Sequence, residues 1–459
     1  MVEKGMTEKI KNRGHWATRM GFILACSGSA IGLGNIWKFP YIAGMNGGGL
    51  FIFIYLLSIF AIGIPIMICE FAIGRSTQSS PVEAFIKLTS KSSFWQIVGW
   101  MGILSGFVIL SYYSVVAGWA LHYVFLSLEN FNGATNPEVI SGFFGDLYSN
   151  GWINLFWHAI FMFLTISIIL GGVKKGIERA SRLLMPILFG MMCLLLIRSS
   201  FMSGFSQALS FVFSPDASKL TPAGVLEALG HAFFTLSLGM GAMLTYGSYL
   251  THKTDIVKSS IIISIMDTVV ALVACLILFP VLFTYGMSPE AGPGLVFKSM
   301  PIVFAQMPGG TIFAVIFFLL LTLAALTSAI SLMEVVTSFF IDTLKWNRKT
   351  ATLIPGFLIF LFGIPSALSG GALSKFTMLG GRNFFDAMDY LASNWLLPLG
   401  GLCIALFVGY RMDLELVKKE FKENSMFAKW FAPWFYSVRY LAPLAVAIVF
   451  LYKIGLLKF

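Results

Sequence analysis

Gly28-Ser29-Ala30-Ile31-Gly32-Leu33-Gly34-Asn35 lies in the middle of an apolar run from about Ala17 to Ala43. A run of that length spans a bilayer, which takes about 20 residues at 1.5 Å each. Glycine costs a helix roughly 1 kcal/mol relative to Ala, and this stretch holds three of them with a serine and an asparagine. Backbone groups left unpaired in lipid cost more, so non-helical backbone at that depth must be covered by protein or line a polar cavity. The stretch therefore reads as a broken helix. Its freed carbonyls would face a cation, and its freed N–H groups an anionic group on a ligand. Helix packing is the competing reading, because Gly28-x-x-x-Gly32 also fits the small-residue crossing motif.

The surroundings are those of a membrane protein. Of 459 residues, 57% are hydrophobic and 11% charged, with mean hydropathy +0.84. A soluble domain carries roughly 25% charged residues. The polar, basic start MVEKGMTEKIKNR does not resemble a cleaved signal. The five cysteines all fall in apolar runs without a CxxC pair, so neither a metal site nor a disulfide framework is expected from them. The net charge of +10 needs no nucleic-acid partner if the basic residues occupy alternate loops.

They do. The apolar runs give an all-α polytopic protein of about eleven spans: 17–43, 47–73, 94–127, 153–171, 179–202, 224–250, 256–286, 312–343, 351–366, 385–410 and 431–456. Lys and Arg concentrate at the N-terminus and after spans two, four, six, eight and ten, while 129–150 holds acids and no base. The N-terminus is thus expected in the cytoplasm and the C-terminus outside, in the plasma (inner) membrane. No linker divides the chain, so one transmembrane domain, 1–459, is expected. The stretch 288–310, with four prolines, reads as a structured external cap.

A second interruption, Thr235-Leu236-Ser237-Leu238-Gly239-Met240-Gly241, falls in the sixth span. Spans one and six correspond if two five-span halves repeat, about 10–203 and 222–411, with an extra helix at about 431–456. Five is odd, so the halves have opposite topology. Paired Gly-interrupted segments in such positions point to an inverted-repeat transporter site; the fold named below is itself an example from which that rule was drawn.

Charged residues inside spans sharpen the reading, at about 2.5–3.5 kcal/mol each on insertion scales. Asp267 has no basic residue downstream until Lys298, and its carboxylate asks for a cation. Glu70 reads as a hydrogen-bonded or snorkelling carboxylate at the end of span two. Lys38 and Asp389 form either a surface pair or a gate. His231 reads as a satisfied interior histidine. The hydroxyls of Thr327 and Ser328 either bond back to the preceding turn or join carbonyls of the first break in an oxygen cage suited to Na⁺.

HWATRMGFILACSGSAIGLGNIWKFPY followed by NGGG, KGIERASRLLMP in span five, FFTLSLGMGAMLTYGSY in span six and AALTSAISLMEV in span eight resemble the neurotransmitter:sodium symporter family, in its bacterial amino-acid branch, over essentially the whole chain. The resemblance implies Na⁺-coupled symport of a hydrophobic L-amino acid by alternating access, and no enzymatic activity. It implies one Na⁺ site from Ala30, Asn35, Thr235 and Asp267 with the substrate carboxylate, and a second from Gly28, Ile31, Ala324, Thr327 and Ser328. The substrate would meet Ala30, Leu33, Gly34, Tyr113, Phe234, Thr235 and Ser237, in a pocket lined by Ile109, Tyr113, Phe234, Met240, Ala329 and Leu332, with room beneath Met240 left by Gly241. Outer closure would pair Lys38 with Asp389 and bring Tyr113 against Phe234. Inner closure would pair Arg13 with Asp342 near Ser248 and Tyr249.

Many animal members hold a Cl⁻ partly through a hydroxyl in span seven. The matching position here is Ala271, and Asp267 one turn earlier offers a fixed negative charge instead, so chloride is not expected to be required. The chain also departs from the family pattern in Lys38 (usually Arg), His231 (usually Gln) and the apparent lack of a twelfth helix. A ligand-gated channel or an amino-acid sensor on the same helices is the alternative. Oligomeric state is not legible.

Overall fold

The computed structural model describes residues 14–91, 93–216, 219–287, 294–378 and 380–457. Among them all regular secondary structure is helical, apart from one isolated bridge between Met378 and Arg382. Nine helices among the described residues are long and apolar enough to cross a membrane, or ten when the bent first pair is taken as one span.

Span one breaks where the glycines predict. Its first helix, Arg19–Ala30, is capped by Thr18, whose hydroxyl accepts from the Gly21 N–H. The chain leaves the helix at Ile31 and resumes as Gly34–Met45, bent by 51°. Span six is Pro222–Thr235, a non-helical stretch, then Ala242–Gly247. Ser237, Gly239 and Gly241 there all have positive φ (54°, 77° and 74°), and an added Cβ on Gly239 would lie 2.3 Å from the Leu397 carbonyl oxygen. Only glycine fits that combination of backbone and close approach.

The continuous spans are Gly49–Thr77 (two), Gln96–Leu128 (three), Gly151–Leu170 (four), Val173–Ser200 (five), Ile256–Thr284 (seven), Gly310–Asp342 (eight), Arg348–Leu368 (nine), Phe384–Arg411 (ten) and Ala428–Lys453 (eleven). Span five begins six residues before its expected start, because Lys174, Lys175 and Glu178 hide its first turns from a hydropathy reading. Span two runs past Glu70 to Thr77, so Glu70 is not a helix-end carboxylate. Within 288–310, the described part holds a short apolar helix, Leu295–Gln306, while Pro289 and Pro293 lie outside the described residues. A further short helix, Leu414–Lys422, follows span ten.

Spans three and eight pack along their lengths and are buried to an unusual degree for membrane helices: 83% and 67% of their most apolar stretches lie inside the protein. The first break sits against span eight, where the Ser29 hydroxyl donates to Ser331 at 2.7 Å. Two broken helices are thus wrapped by continuous ones, the condition for keeping open backbone away from lipid.

Candidate functional site

The two breaks meet at one carboxylate. Asp267 is fully buried in span seven. Its Oδ1 accepts from Asn35 Nδ2 at 2.7 Å and Thr235 Oγ1 at 3.0 Å, and its Oδ2 accepts from Tyr55 at 3.2 Å. Asn35 Nδ2 also lies 2.9 Å from Thr235 Oγ1, while Asn35 Oδ1 accepts from the Gly32 N–H. All three donors to the carboxylate are neutral. The charge is solvated by dipoles and keeps its appetite for a cation. Asn35, Thr235 and Asp267 are therefore gathered at one point. Ala30, the fourth residue expected there, ends the helix just before the break.

The second expected oxygen set also comes together. Ser328 Oγ lies 3.3 Å from the Gly28 carbonyl, 3.2 Å from that of Ser29 and 3.5 Å from that of Ile31. Thr327 Oγ1 donates to the Ala324 carbonyl at 3.0 Å, and a Cβ on Gly28 would touch Thr327. Ser29, which the sequence reading did not single out, contributes a carbonyl that also accepts from the Ser237 hydroxyl at 2.8 Å.

Between these clusters, the Leu33 N–H donates to the Tyr113 phenol at 3.3 Å. A freed backbone donor and a hydroxyl thus meet where a ligand carboxylate is expected. Gly34 lies under Phe234, whose Cε1 would be 3.1 Å from an added Cβ. Ile109, Met240, Ala329 and Leu332 are buried. Gly241 does not leave room beneath Met240: its open side is filled by Pro81 and the backbone of Gly102.

The expected outer closure differs in two respects. Lys38 and Asp389 make no ion pair within 4.0 Å. Asp389 Oδ1 instead accepts from Tyr112 and Ser393, both at 3.0 Å, and Lys38 Nζ stands 4.5 Å from the centre of the Phe234 ring. A lysine is a compact point charge without arginine's bidentate reach, and an aromatic face is a good alternative partner. Nor do the Tyr113 and Phe234 rings stack on each other; Phe234 lies instead beside His231, centroids 6.4 Å apart. Outside Phe234 is a cavity of about 260 Å³, lined by Lys38, Glu227, His231, Asp389 and Lys453 among others. It shares only Phe234 with the expected side-chain pocket. His231 is not satisfied as expected: neither ring nitrogen has a hydrogen-bond partner among the described residues, and the ring stacks on Phe39.

The opposite end is tied shut. Trp16 packs edge-on against Tyr246 and donates to its carbonyl at 3.0 Å. Glu178, which the sequence reading missed, accepts from the Ala17 N–H at 2.7 Å and the Thr18 hydroxyl at 2.8 Å. Tyr249 donates to Glu334, which also pairs with both terminal nitrogens of Arg348. Asp342 accepts from the Ser80 N–H, and Ser248 donates to Thr245. Arg13, the expected partner of Asp342, lies outside the described residues.

Glu70 is hydrogen-bonded, as expected, but from mid-helix. It accepts from the Gly239 N–H at 2.7 Å and the Leu244 N–H at 3.1 Å, so span two satisfies the donors freed by the second break.

The model of the Sodium:neurotransmitter symporter family matches residues 13–135 and 146–458. The chain belongs to that family. It is 40% identical to the sodium-dependent transporter YhdH of Bacillus subtilis (strain 168), over 97% of this chain and 98% of the relative. The crystal structure of MhsT in complex with L-phenylalanine matches with a TM-score of 0.88 and 44% identity, over 96% of this chain and all of that one. The sodium- and chloride-dependent GABA transporter 2 of Homo sapiens is 25% identical over 99% of this chain and 82% of its own. The protein is a multi-pass membrane transporter of a sodium symporter family, and nothing in the comparisons favours a channel or a sensor.

Span five meets the tied end through Glu178. It is helical from Val173 to Ser200, beginning with a wide turn over Val173–Glu178 and carrying Pro186 inside. Pro186 has no N–H for the Arg182 carbonyl, so the helix lacks one bond there. Gly176 also serves packing, since a Cβ there would lie 2.1 Å from the Ile168 carbonyl oxygen. Replacing Pro186 with Ala is expected to slow ion release and turnover several-fold while leaving substrate affinity unchanged. Single-turnover uptake in proteoliposomes reads this directly, and unchanged turnover would assign Pro186 to packing alone.

Proposed function

We propose that the protein takes up hydrophobic and aromatic L-amino acids by alternating access, with two Na⁺ carried in and no requirement for chloride. The observation that carries the proposal is the meeting of both broken spans at Asn35, Thr235 and Asp267. A Na⁺ held there would replace neutral donors on the carboxylate and sit beside the substrate's own carboxylate, coupling ion to substrate. The oxygens of Gly28, Ile31, Ala324, Thr327 and Ser328 would hold the second ion, a hard cation in an all-oxygen shell. Leu33, Gly34 and Tyr113 would hold the substrate carboxylate. Ala30, Phe234, Thr235 and Ser237 would surround its amine. Moving two charges through 100 mV is worth about 4.6 kcal/mol, roughly three decades of accumulation.

The tied end is the cytoplasmic one on this reading. The cavity over Phe234 is the outer vestibule, which Lys38 and Asp389 close in another state. Lys453 of span eleven lines that vestibule, which supports an outward C-terminus. The two five-span halves and the single domain over 1–459 belong to the same proposal.

Selectivity follows from the pocket. Ile109, Tyr113, Phe234, Met240, Ala329 and Leu332 carry no charge, so a charged substrate side chain would be buried unpaired. Met240 is unbranched and repacks around ligands of several sizes. The structure of MhsT with L-phenylalanine supports the substrate class. In competition against the twenty amino acids, Leu, Phe, Tyr and Trp are expected to block Na⁺-driven uptake, with Glu and Lys at least tenfold weaker. Strong uptake of Glu or Lys with none of the apolar four would refute the assignment.

A further inference from the structure

Three potential ligands converge beyond the end of span six, away from the transport site. His252 lies in the turn after span six. Glu420 lies in the helix Leu414–Lys422 that follows span ten, and Glu423 is the residue just after that helix. His252 Nδ1 is 3.0 Å from Glu423 Oε2 and 3.9 Å from Glu420 Oε1, and ligand atoms of all three lie within 4.8 Å of one another. Tetrahedral coordination with bonds of about 2.0–2.1 Å puts neighbouring ligand atoms about 3.3 Å apart, and the observed separations bracket that edge.

The second observation is Glu420 itself. Its side chain is 1% exposed. Oε2 takes a 2.6 Å bond from Arg75 Nε, but Oε1 accepts no hydrogen bond among the described residues and is turned toward His252. A buried carboxylate oxygen left without a donor is destabilising unless something positive meets it. The frame around it is rigid. Arg75 donates to the carbonyls of both Glu420 and Thr254, tying the helix to the turn. Asn424, in the left-handed conformation with φ 55°, donates to the His252 carbonyl at 2.7 Å. The open side is reachable, since the His252 side chain is 53% exposed and that of Glu423 27%.

We infer that His252, Glu420 and Glu423 form a binding site for a divalent transition-metal ion such as Zn²⁺. One imidazole nitrogen and two carboxylate oxygens suit first-row metals, whereas Mg²⁺ prefers an octahedral all-oxygen shell. His252 Nδ1 donates to Glu423 Oε2; the ion replaces that proton, which is released to solvent, and the neutral ring keeps its proton on Nε2. Arg75 fixes the Glu420 carboxylate from behind, as outer-shell partners do at metal sites. Water completes the shell. The bound ion links the turn after span six to the helix after span ten.

The test uses the full chain, purified with its affinity tag removed and its metal stripped. Zn²⁺ titrated by calorimetry is expected to bind one per chain and to raise the melting temperature. Co²⁺ is expected to give the visible absorption of a low-coordinate site. His252→Ala, at a half-exposed position, should weaken Zn²⁺ binding at least tenfold and remove both the melting shift and the Co²⁺ band. Lys253→Ala should change none of these. Absence of binding, or binding unaltered in His252→Ala, overturns the site.

Discussion

Replacing Asp267 with Asn is expected to lower chloride-free, Na⁺-driven uptake by two to three decades. The carboxylate is the one formal charge at the junction of the broken spans, and its three donors are neutral. Two Na⁺ with a zwitterion would leave two uncompensated positive charges in a poorly solvated site. A negative charge about 4 Å from one of them is worth roughly 4 kcal/mol at an effective dielectric of 20, about three decades in ion affinity. Asn is nearly isosteric and retains one acceptor oxygen, so folding should survive, as melting would confirm. Ala271, one turn along the same face, offers no hydroxyl to hold a chloride. Uptake by the unaltered protein should accordingly persist when gluconate replaces chloride. Collapse in gluconate, or full chloride-free activity in Asp267→Asn, would each remove Asp267 from this role.

Replacing Glu70 with Ala is the second large effect. It strips the acceptor from the Gly239 and Leu244 N–H groups, both at the second break. Each orphaned buried donor costs about 1–3 kcal/mol, so a loss of about 2–6 kcal/mol is expected. These groups are buried, and the positive-φ backbone at Gly239 has no helical alternative while Leu397 presses on it. Melting should fall by several degrees and uptake should be lost. Glu70→Gln keeps one acceptor oxygen and should fall between the two. An unchanged melting curve in Glu70→Ala would show that the break does not depend on span two.

The same contacts show how much the sequence could tell. Both breaks were legible, because glycine, serine and asparagine inside an apolar run violate helix propensity locally. Asp267 was legible for the same kind of reason: a charge among Ile and Val stands out without any partner in view. The residues that hold the breaks and the closed end were not. Glu70 is 169 positions from Gly239, and Glu178 is 161 from Ala17, so only the fold brings them together. Glu178 sits among Lys174, Lys175, Arg179 and Arg182, which give it an ordinary interfacial explanation, and Glu70 reads as hydrogen-bonded without its partners being in view. The Lys38–Asp389 pair is not formed in this structure for another reason: Tyr112 and Ser393 compete for the acid and Phe234 for the base, and only the Asp389–Ser393 spacing of four is visible in the sequence.

Accumulation tests the central claim most directly. Proteoliposomes containing the protein, with L-leucine or L-phenylalanine at equal concentration on both sides, are given an inward Na⁺ gradient and an inside-negative potential. The amino acid is expected to concentrate inside by at least tenfold. It should run back down when Na⁺ is equilibrated, and no accumulation should occur with K⁺ in place of Na⁺. Flux that only equalises the two sides, or that proceeds equally without Na⁺, would contradict coupling at the junction of the two broken spans.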